Sequence, residues 1–472
     1  MIKNIFKTLL FGLLYINVLN AASPEGYNIE TVKTPDRVLF HVTGLDVAKD
    51  GTVYCATRFG DVWALKKNVW THFAQGLHEP CGLLVDDDGS IVVTQKPELT
   101  RLVDLNKDGK ADEYIKISSD FEFHNNYHEF NYGGVKDNEG NYVGTLNLAH
   151  GDPKALKLST MVSQGGYRGW AYKVTPDGKF IPWASGLRSP AGVGKNPAGD
   201  IFYTDNQGDF VGTSMMHQIT KDAFYGHPVS LLDKGFSREK IQKMNEADWD
   251  KMRTVPVVWI PHGEIANSPG NPEWDTTKGK FGPFKDQFFV GDQTRSSLFR
   301  VSLQKVDNIY QGVVIDFMTG FQSGAMRLKF DHEGTLWVGE TGRGWTARGG
   351  KLYGLQKVSW DGTVPFEILD VKMTKDGFKV DFTKEINKAT ADQFKLESWW
   401  YEYRRGYGSP KGDMKTDIKK SVTLSSDNKS IEVKVALNEK RVYGFDFSKI
   451  KDSNGKSLAN PKAFYTLVKK LK

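Results

Sequence analysis

Cysteine is nearly absent: Cys55 and Cys81 are the two in a chain of 472 residues. That excludes a scaffold built on disulfides, and with no C-x-x-C-H run present no c-type haem is covalently attached. The two thiols stand at comparable places in successive repeats and read either as one bridge or as two buried thiols. Excess charge is small as well. The 63 basic and 57 acidic residues leave +6, and no basic stripe interleaved with aromatics is present, so no nucleic-acid footprint is expected. The apolar run Leu9 to Leu19 is broken by Gly12 and Asn17 and falls short of the ~20 residues that a membrane span needs. With Lys3 and Lys7 before it and Asn20-Ala21-Ala22-Ser23 after it, the run reads as a secretory signal peptide over residues 1–22. A soluble periplasmic or secreted protein is expected, with no stable membrane insertion after cleavage.

What the chain has in quantity is glycine, with 48 residues, and aromatics, at 12%. Many short strands joined by tight turns use that mixture better than helices do, which points to an all-β fold. One grammar recurs six times: an apolar pair, an Asp/Asn/Gly turn, then a short strand ending in polar residues. The copies lie around KDGTVYCAT, DDDGSIVVT, KDNEGNYVGT, NPAGDIFYT, FKDQFFVGD and DHEGTLWVGE. Unequal spacing between copies is what repeat architectures tolerate. A six-bladed β-propeller over residues 23–362 is the expected solution, gathering the strand-end loops around a central channel. A first strand near Tyr27 would pair with the last blade and lock the ring. After Trp360-Asp361-Gly362 the pattern changes to alternating strands with few glycines, and residues 363–472 read as a small immunoglobulin-like β-sandwich. Between blades, Ser237 to Arg253 reads as one inserted amphipathic helix.

Several stretches carry candidate chemistry. Asp205-Asn-Gln207-Gly208-Asp209 crowds oxygen donors at one strand end and reads as an Asx-rich turn or as a cation site. Asp104, Asn106, Asp108 and Asp112, with Gly109 at the sixth position, match most of an EF-hand-type calcium loop, although Ile115 replaces the twelfth-position carboxylate. The alternative is a solvated acidic turn. In HNNYHEFNYGG, His128 is suited to proton abstraction or is a histidine satisfying its own loop. VPVVWIPHGEIANSPGN, with His262 and Glu264, is either a rim over the channel or a plain connection. The cluster Trp399-Trp400-Tyr401-Glu402-Tyr403, followed by Arg404-Arg405-Gly406-Tyr407-Gly408, is an exposed sugar or partner patch, or core aromatics packed on the propeller.

The run GLRSPAGVGKNPAGDIFYTDNQGD, with the later Tyr225-Gly226-His227-Pro228, resembles the glucose/sorbosone dehydrogenase family. These are soluble quinoproteins on a six-bladed propeller, and the likeness extends to their membrane-bound, sorbosone-dehydrogenase-like branch. It spans roughly His41 to Val358. The resemblance implies that His128 removes a sugar hydroxyl proton and that Arg188 contacts pyrroloquinoline quinone. It further implies that Gln207 and Gly208, beside Asp205 and Asp209, hold Ca²⁺ under the quinone. Thr294 or Arg295 falls where the family pairs a lysine with the cofactor, and Arg327 is a further cofactor contact. Asn147 replaces the family's acidic partner of the histidine, and Asp209 replaces a proline. The implied activity is oxidation of a sugar or sugar-derived hydroxyl or aldehyde by hydride transfer, with electrons leaving to an external acceptor such as a cytochrome. The alternatives are a non-catalytic carbohydrate- or protein-binding propeller, and a Ca²⁺-dependent lactonase or lyase in which Asp205, Asn206 and Asp209 hold the ion.

Overall fold

The computed structural model describes residues 23–342, 346–416 and 418–471; the signal peptide read over residues 1–22 lies outside them. Five of the six repeats supply the first two strands of a blade, and the fifth, around FKDQFFVGD, supplies the second strand of its blade, Phe288–Asp292. Blade one comprises Val42–Val47, Val53–Thr57, Val62–Lys66 and Val69–Ala74, and blade two runs from Gly82–Val85 to Glu113–Ser118. Blade three starts at Asn131–Lys136, blade four at Pro190–Lys195, blade five at Pro269–Trp274 and blade six at Ala325–Phe330. The ring is closed by Tyr27–Thr31, which pairs antiparallel with Tyr353–Trp360 as the outermost strand of blade six. Pairing the chain's first strand with its last blade removes a free seam between the two ends.

At the axis sits Arg327, 5% exposed. A β-bulge between Ala325 and Arg327 interrupts the register of blade six, a device that re-aims a side chain. Its Nε donates to Thr43 O at 2.7 Å, Nη1 to Ala191 O at 2.7 Å and Met326 O at 2.8 Å, and Nη2 to Cys81 O at 3.3 Å. The guanidinium also lies 5.0 Å from the ring centre of Tyr132. Contacts from blades one, two, three, four and six thus meet on one cation, because a planar fork of N–H donors can serve several carbonyls at once. The donors of Arg327, expected to contact a cofactor, are engaged by the channel wall. Cys55 and Cys81 are both buried free thiols.

Residues beyond 362 form two sheets packed face to face. One contains Ile368–Thr374, Gly377–Phe382, Ser430–Lys434 and Ser421–Leu424. The other contains Lys462–Leu467, Arg441–Asp446, Lys395–Tyr401 and Lys411–Lys415. Phe378, Ile431, Phe445 and Tyr465 fill the space between them. This second sheet does not merely rest against the propeller. Ile309–Thr319, the outer strand of blade five, pairs with Lys462–Leu467, so blade and sandwich share one eight-stranded sheet. An 11-residue outer strand would otherwise present a long unpaired edge. Trp399 is fully buried with Trp259, Phe288 and Phe464 in a cluster shared with the propeller, which gives that tryptophan the packing role.

The insertion within blade four, between Ser214–Gln218 and Val258–Ile260, differs from the single helix expected. A 3₁₀ turn, Pro228–Lys234, is followed by two short helices, Arg238–Lys243 and Glu246–Met252. The break comes from Asn245, whose side chain accepts from Asp248 N while Asp248 returns the bond, a capping box that starts a new helix. Among the described residues no helix is long and apolar enough to cross a membrane.

Two outcomes follow. Arg327→Met should destabilise by at least about 3 kcal/mol, because buried carbonyls lose their donors; urea unfolding of the two proteins measures the difference. Glu367, at the junction, has Oε1 2.7 Å from Asn460 Nδ2 and is fully buried. Burial pushes its carboxyl up to about 8, against the nearby Arg300 charge. A raised carboxyl pKa means that the folded state holds the proton more tightly, so this stabilisation is full below the unfolded pKa and is lost as pH rises through about 8. Glu367→Gln should therefore gain melting temperature over the parent as pH is raised from about 5 to about 8; an unchanged difference would contradict the assignment.

Candidate functional site

At the channel end where the second strands of the blades finish, a cavity of about 640 Å³ is walled by His128, Arg188, Ser189, Asn147, Asn206 and Tyr407, among others. His128 sits on the loop before blade three and is 7% exposed. Its Nδ1 lies 2.7 Å from Leu148 O and its Nε2 lies 3.3 Å from Ser189 Oγ. A carbonyl oxygen can only accept, so Nδ1 carries the proton, and in the neutral ring Nε2 keeps the lone pair. The same loop is anchored by Glu129, fully buried, which accepts from His124 and lies 3.9 Å from Arg168 Nε.

Arg188 and Asp209 form the buried charge pair of the site, with Nε to Oδ1 at 2.6 Å and side-chain exposures of 5% and 1%. The other partners of Asp209 come from distant segments. Thr160 Oγ1 donates at 2.9 Å, Met161 N at 3.0 Å, and His227 Nε2 lies 3.2 Å away; Ser159 Oγ also donates. Ser159 and Thr160 are carried by a small three-stranded sheet inserted within blade three. Burial alone would raise the Asp209 carboxyl, but the His227 hydrogen bond and the Arg188 charge outweigh it and hold it well below the usual carboxylate range. Burial pushes His227 down from its ordinary value despite Asp209, and Arg188, with Nε 2.6 Å from Asp209 Oδ1, is the counter-charge. Gly208 is needed here by close approach, since a Cβ on it would lie 2.0 Å from the Arg188 guanidinium.

Asp205 has a different task. Its carboxylate accepts from Arg188 N and Ser189 N, both at 2.8 Å, and from Asn206 N at 2.9 Å. Blade five repeats the device: Asp292 accepts from Asn267 N at 2.7 Å, Ser268 N at 2.6 Å and Arg295 N at 2.7 Å. An acid at the end of the second strand thus ties down the turn that opens its blade. Burial pushes Asp205 up to about 6, against those backbone hydrogen bonds.

The set expected to hold Ca²⁺ does not fit a cation in this arrangement. Asp205 is saturated by amides, Asp209 is neutralised by Arg188, and Gly208 O accepts from Gly408 N at 2.8 Å. Gln207 packs against Gly408. The oxygens left without partners are neutral amides: Asn147 Oδ1 and Asn206 Oδ1 are buried, unpaired, and belong to residues of the cavity wall. Among the described residues no three His, Cys, Asp or Glu side chains are grouped to hold a metal ion. Asp104, Asn106, Asp108 and Asp112 lie in a turn of blade two, where their side chains accept mainly from the loop's own amides, such as Gly109 N to Asp104 at 2.9 Å and Leu105 N to Asp112 at 2.7 Å.

Some of the residues expected to meet a planar, polycarboxylate quinone line this cavity. Arg188 and Thr294 face the cavity as expected, and Arg58 adds a second arginine to the wall. Arg295 turns away, donating Nη1 to Gly263 O at 2.6 Å and approaching Asp316 at 3.6 Å. His262 joins the cavity wall, whereas Glu264 pairs with Lys411 at 2.6 Å. Ser189 was not singled out by sequence, and Tyr407 stood only in the stretch read as a sugar or partner patch or as packed aromatics, with no tie to this cavity. The adjacency of Ser189 to Arg188 in the LRSP turn was the available signal for one; for Tyr407 the aromatic stretch was the signal, but its place at this cavity depends on the other domain's packing. A second cavity, of about 850 Å³, lies at the opposite face among the Asp/Gly turns, where Lys329 pairs with Asp46 at 3.1 Å.

The architecture is that of the six-bladed sugar dehydrogenase propellers. An oxidoreductase (glucose dehydrogenase) from Thermus thermophilus superposes with TM-score 0.52 at 17% identity, over 71% of this chain and 100% of that one. The holo PQQ domain of pyranose dehydrogenase from Coprinopsis cinerea gives TM-score 0.51 at 13% identity, over 72% and 97%. A calcium structure of a carbohydrate-active enzyme of family AA12 from Trichoderma reesei gives 0.52 at 13% identity, over 72% and 98%. The model of one family, described as a domain of unknown function (DUF7133), matches residues 66–262. No curated protein matches the chain.

Replacing Asp209 with Asn should destabilise the protein by ~3–5 kcal/mol, since the buried guanidinium of Arg188 loses its counter-charge. Urea unfolding tests this, and a loss below about 1 kcal/mol would show that the pair is solvated.

Proposed function

We propose that the protein is an oxidoreductase acting on a hydroxyl group of a sugar or sugar-derived molecule, with His128 as the base. The observation that carries this reading is the orientation of His128: Nδ1 is held by Leu148 O, so Nε2, beside Ser189 Oγ on the cavity side, carries the lone pair that can take a hydroxyl proton. The wall suits a polyhydroxylated ligand, combining aromatic rings of Tyr127 and Tyr407 with amide groups of Asn147 and Asn206. Oxidation of a carbinol needs two acceptors, one for the hydroxyl proton and one for the hydride on carbon. Pyrroloquinoline quinone, named for the Coprinopsis relative, supplies a two-electron acceptor when bound, and Arg188, Thr294 and Arg58 are the residues that would meet it. Arg188 is held in place by Asp209, and the low exposure of His128 limits competition from water. Electrons would pass on to an external acceptor such as a cytochrome, in the periplasm or outside the cell.

A binding propeller without turnover is the second reading, and the saturated state of Asp205, Asp209 and Gly208 O favours it. The Ca²⁺-dependent lactonase or lyase reading needs Asp205 and Asp209 beside Asn206, and with both acids engaged it loses support. Purified protein incubated with the quinone and Ca²⁺ and assayed by dye reduction across a sugar panel separates the two. Sugar-dependent reduction that falls by about 10²–10⁴-fold in His128→Ala, with sugar binding retained, is the expected result. Sugar binding with no reduction under any loading would leave the binding propeller.

A further inference from the structure

The segment Glu402 to Ser409 belongs by sequence to the C-terminal sandwich, yet it runs along the propeller turn that carries Asp209. Phe210 N donates to Arg404 O at 3.1 Å, Gly408 N to Gly208 O at 2.8 Å, and Ser409 N to Gly212 O at 2.7 Å, and Tyr407 forms a bridge opposite Asp209. Ser409 Oγ closes the base of the loop by accepting from Glu402 N at 3.0 Å. Tyr403 packs on Arg253 at 4.9 Å and donates its hydroxyl to Gly226 O. Gly408 has φ of +65°, and a Cβ there would lie 2.6 Å from the Gln207 amide, so glycine is required where the loop seats. With these bonds, and with blade five continuous with the sandwich sheet, the loop is a fixed part of the cavity wall.

Its one aromatic residue at the cavity is Tyr407. The ring lies 5.4 Å from the Arg188 guanidinium and is 61% exposed, although its backbone is paired on the propeller. An aromatic ring carried on a paired backbone yet left largely open to a polar cavity has apolar surface that a ligand can cover. We propose that Tyr407 is a substrate-contacting platform, donated by the C-terminal domain, that stacks on the C–H face of a cyclic sugar and sets selectivity for a ring over an open chain. This rests on the reading of the cavity as a sugar site. A linear polyol offers the same hydroxyls to the amides and to His128 but no ring face to the tyrosine, so the platform discriminates between the two.

Calorimetric titration of the full-length protein with D-glucose, D-galactose, D-xylose and the linear polyol sorbitol tests it, using Tyr407→Ala, Tyr407→Phe and, as a control outside the cavity, Trp400→Ala. Tyr407→Ala should weaken the pyranoses about tenfold, the scale of one lost aromatic contact, and change sorbitol by less than about twofold. Tyr407→Phe should retain pyranose affinity, and Trp400→Ala should match the parent. Equal weakening of pyranoses and sorbitol would show that the ring acts only by holding Arg188, and would overturn the proposal. Pyranose binding that is unchanged in Tyr407→Ala would also overturn it while leaving the sugar site standing. A parent protein that binds none of the pyranoses would remove both.

Discussion

A carboxylate with 1% of its side chain exposed persists in ionised form only where its surroundings replace water completely, and Asp209 draws those surroundings from the whole chain. Arg188 comes from the turn opening blade four, Ser159 and Thr160 from the sheet inserted in blade three, and His227 from the insertion between the third and fourth strands of blade four. The sandwich adds its loop alongside, at Tyr407. Each of these segments has little reason of its own to sit at the channel mouth. The cost of leaving the Asp209–Arg188 pair incomplete supplies one, and the cavity takes its shape from the elements gathered around that pair. Arg327 plays the corresponding part deeper in the channel, where it ties blade to blade through carbonyl oxygens.

Much of the fold was legible because its signals are local. Each Asp/Asn/Gly turn between short β-branched and aromatic runs reports its own hairpin, so the repeats and the closing strand near Tyr27 could be read in order. The site was legible in part. His128 and Arg188 reach the cavity, and Thr294 with them, because turn and strand-end positions in a propeller converge whatever their sequence separation. What sequence could not give was which partner each polar atom takes. DNQGD reads identically whether its oxygens face a cation or the backbone, and the outcome depends on Arg188, Ser159 and Gly408, which lie far from it in the chain. The single helix expected at 237–253 failed for a local reason, the Asn245 capping box. Which carbonyls Arg295 and Arg327 meet could not be read, because a cation's backbone acceptors carry no sequence signature.

The C-terminal residues change how the molecule is understood. A sandwich joined by a flexible linker would be an accessory module. Here its sheet continues blade five and its loop walls the cavity, so propeller and sandwich act as one body around one site. The aromatic cluster singled out in the sequence divides accordingly: Trp399 packs in the shared core, while Tyr407 stands open at the cavity.

The claim at the centre of this account is that His128 presents Nε2, with its lone pair, to a hydroxyl in the cavity. Nitrogen-15 NMR of histidine-labelled protein, with His128→Gln to assign the resonance, measures that state directly. The account predicts that neutral His128 is protonated at Nδ1 and that a bound sugar shifts Nε2 more than Nδ1. An Nε2-protonated tautomer, or an Nε2 signal indifferent to every bound sugar, would contradict it.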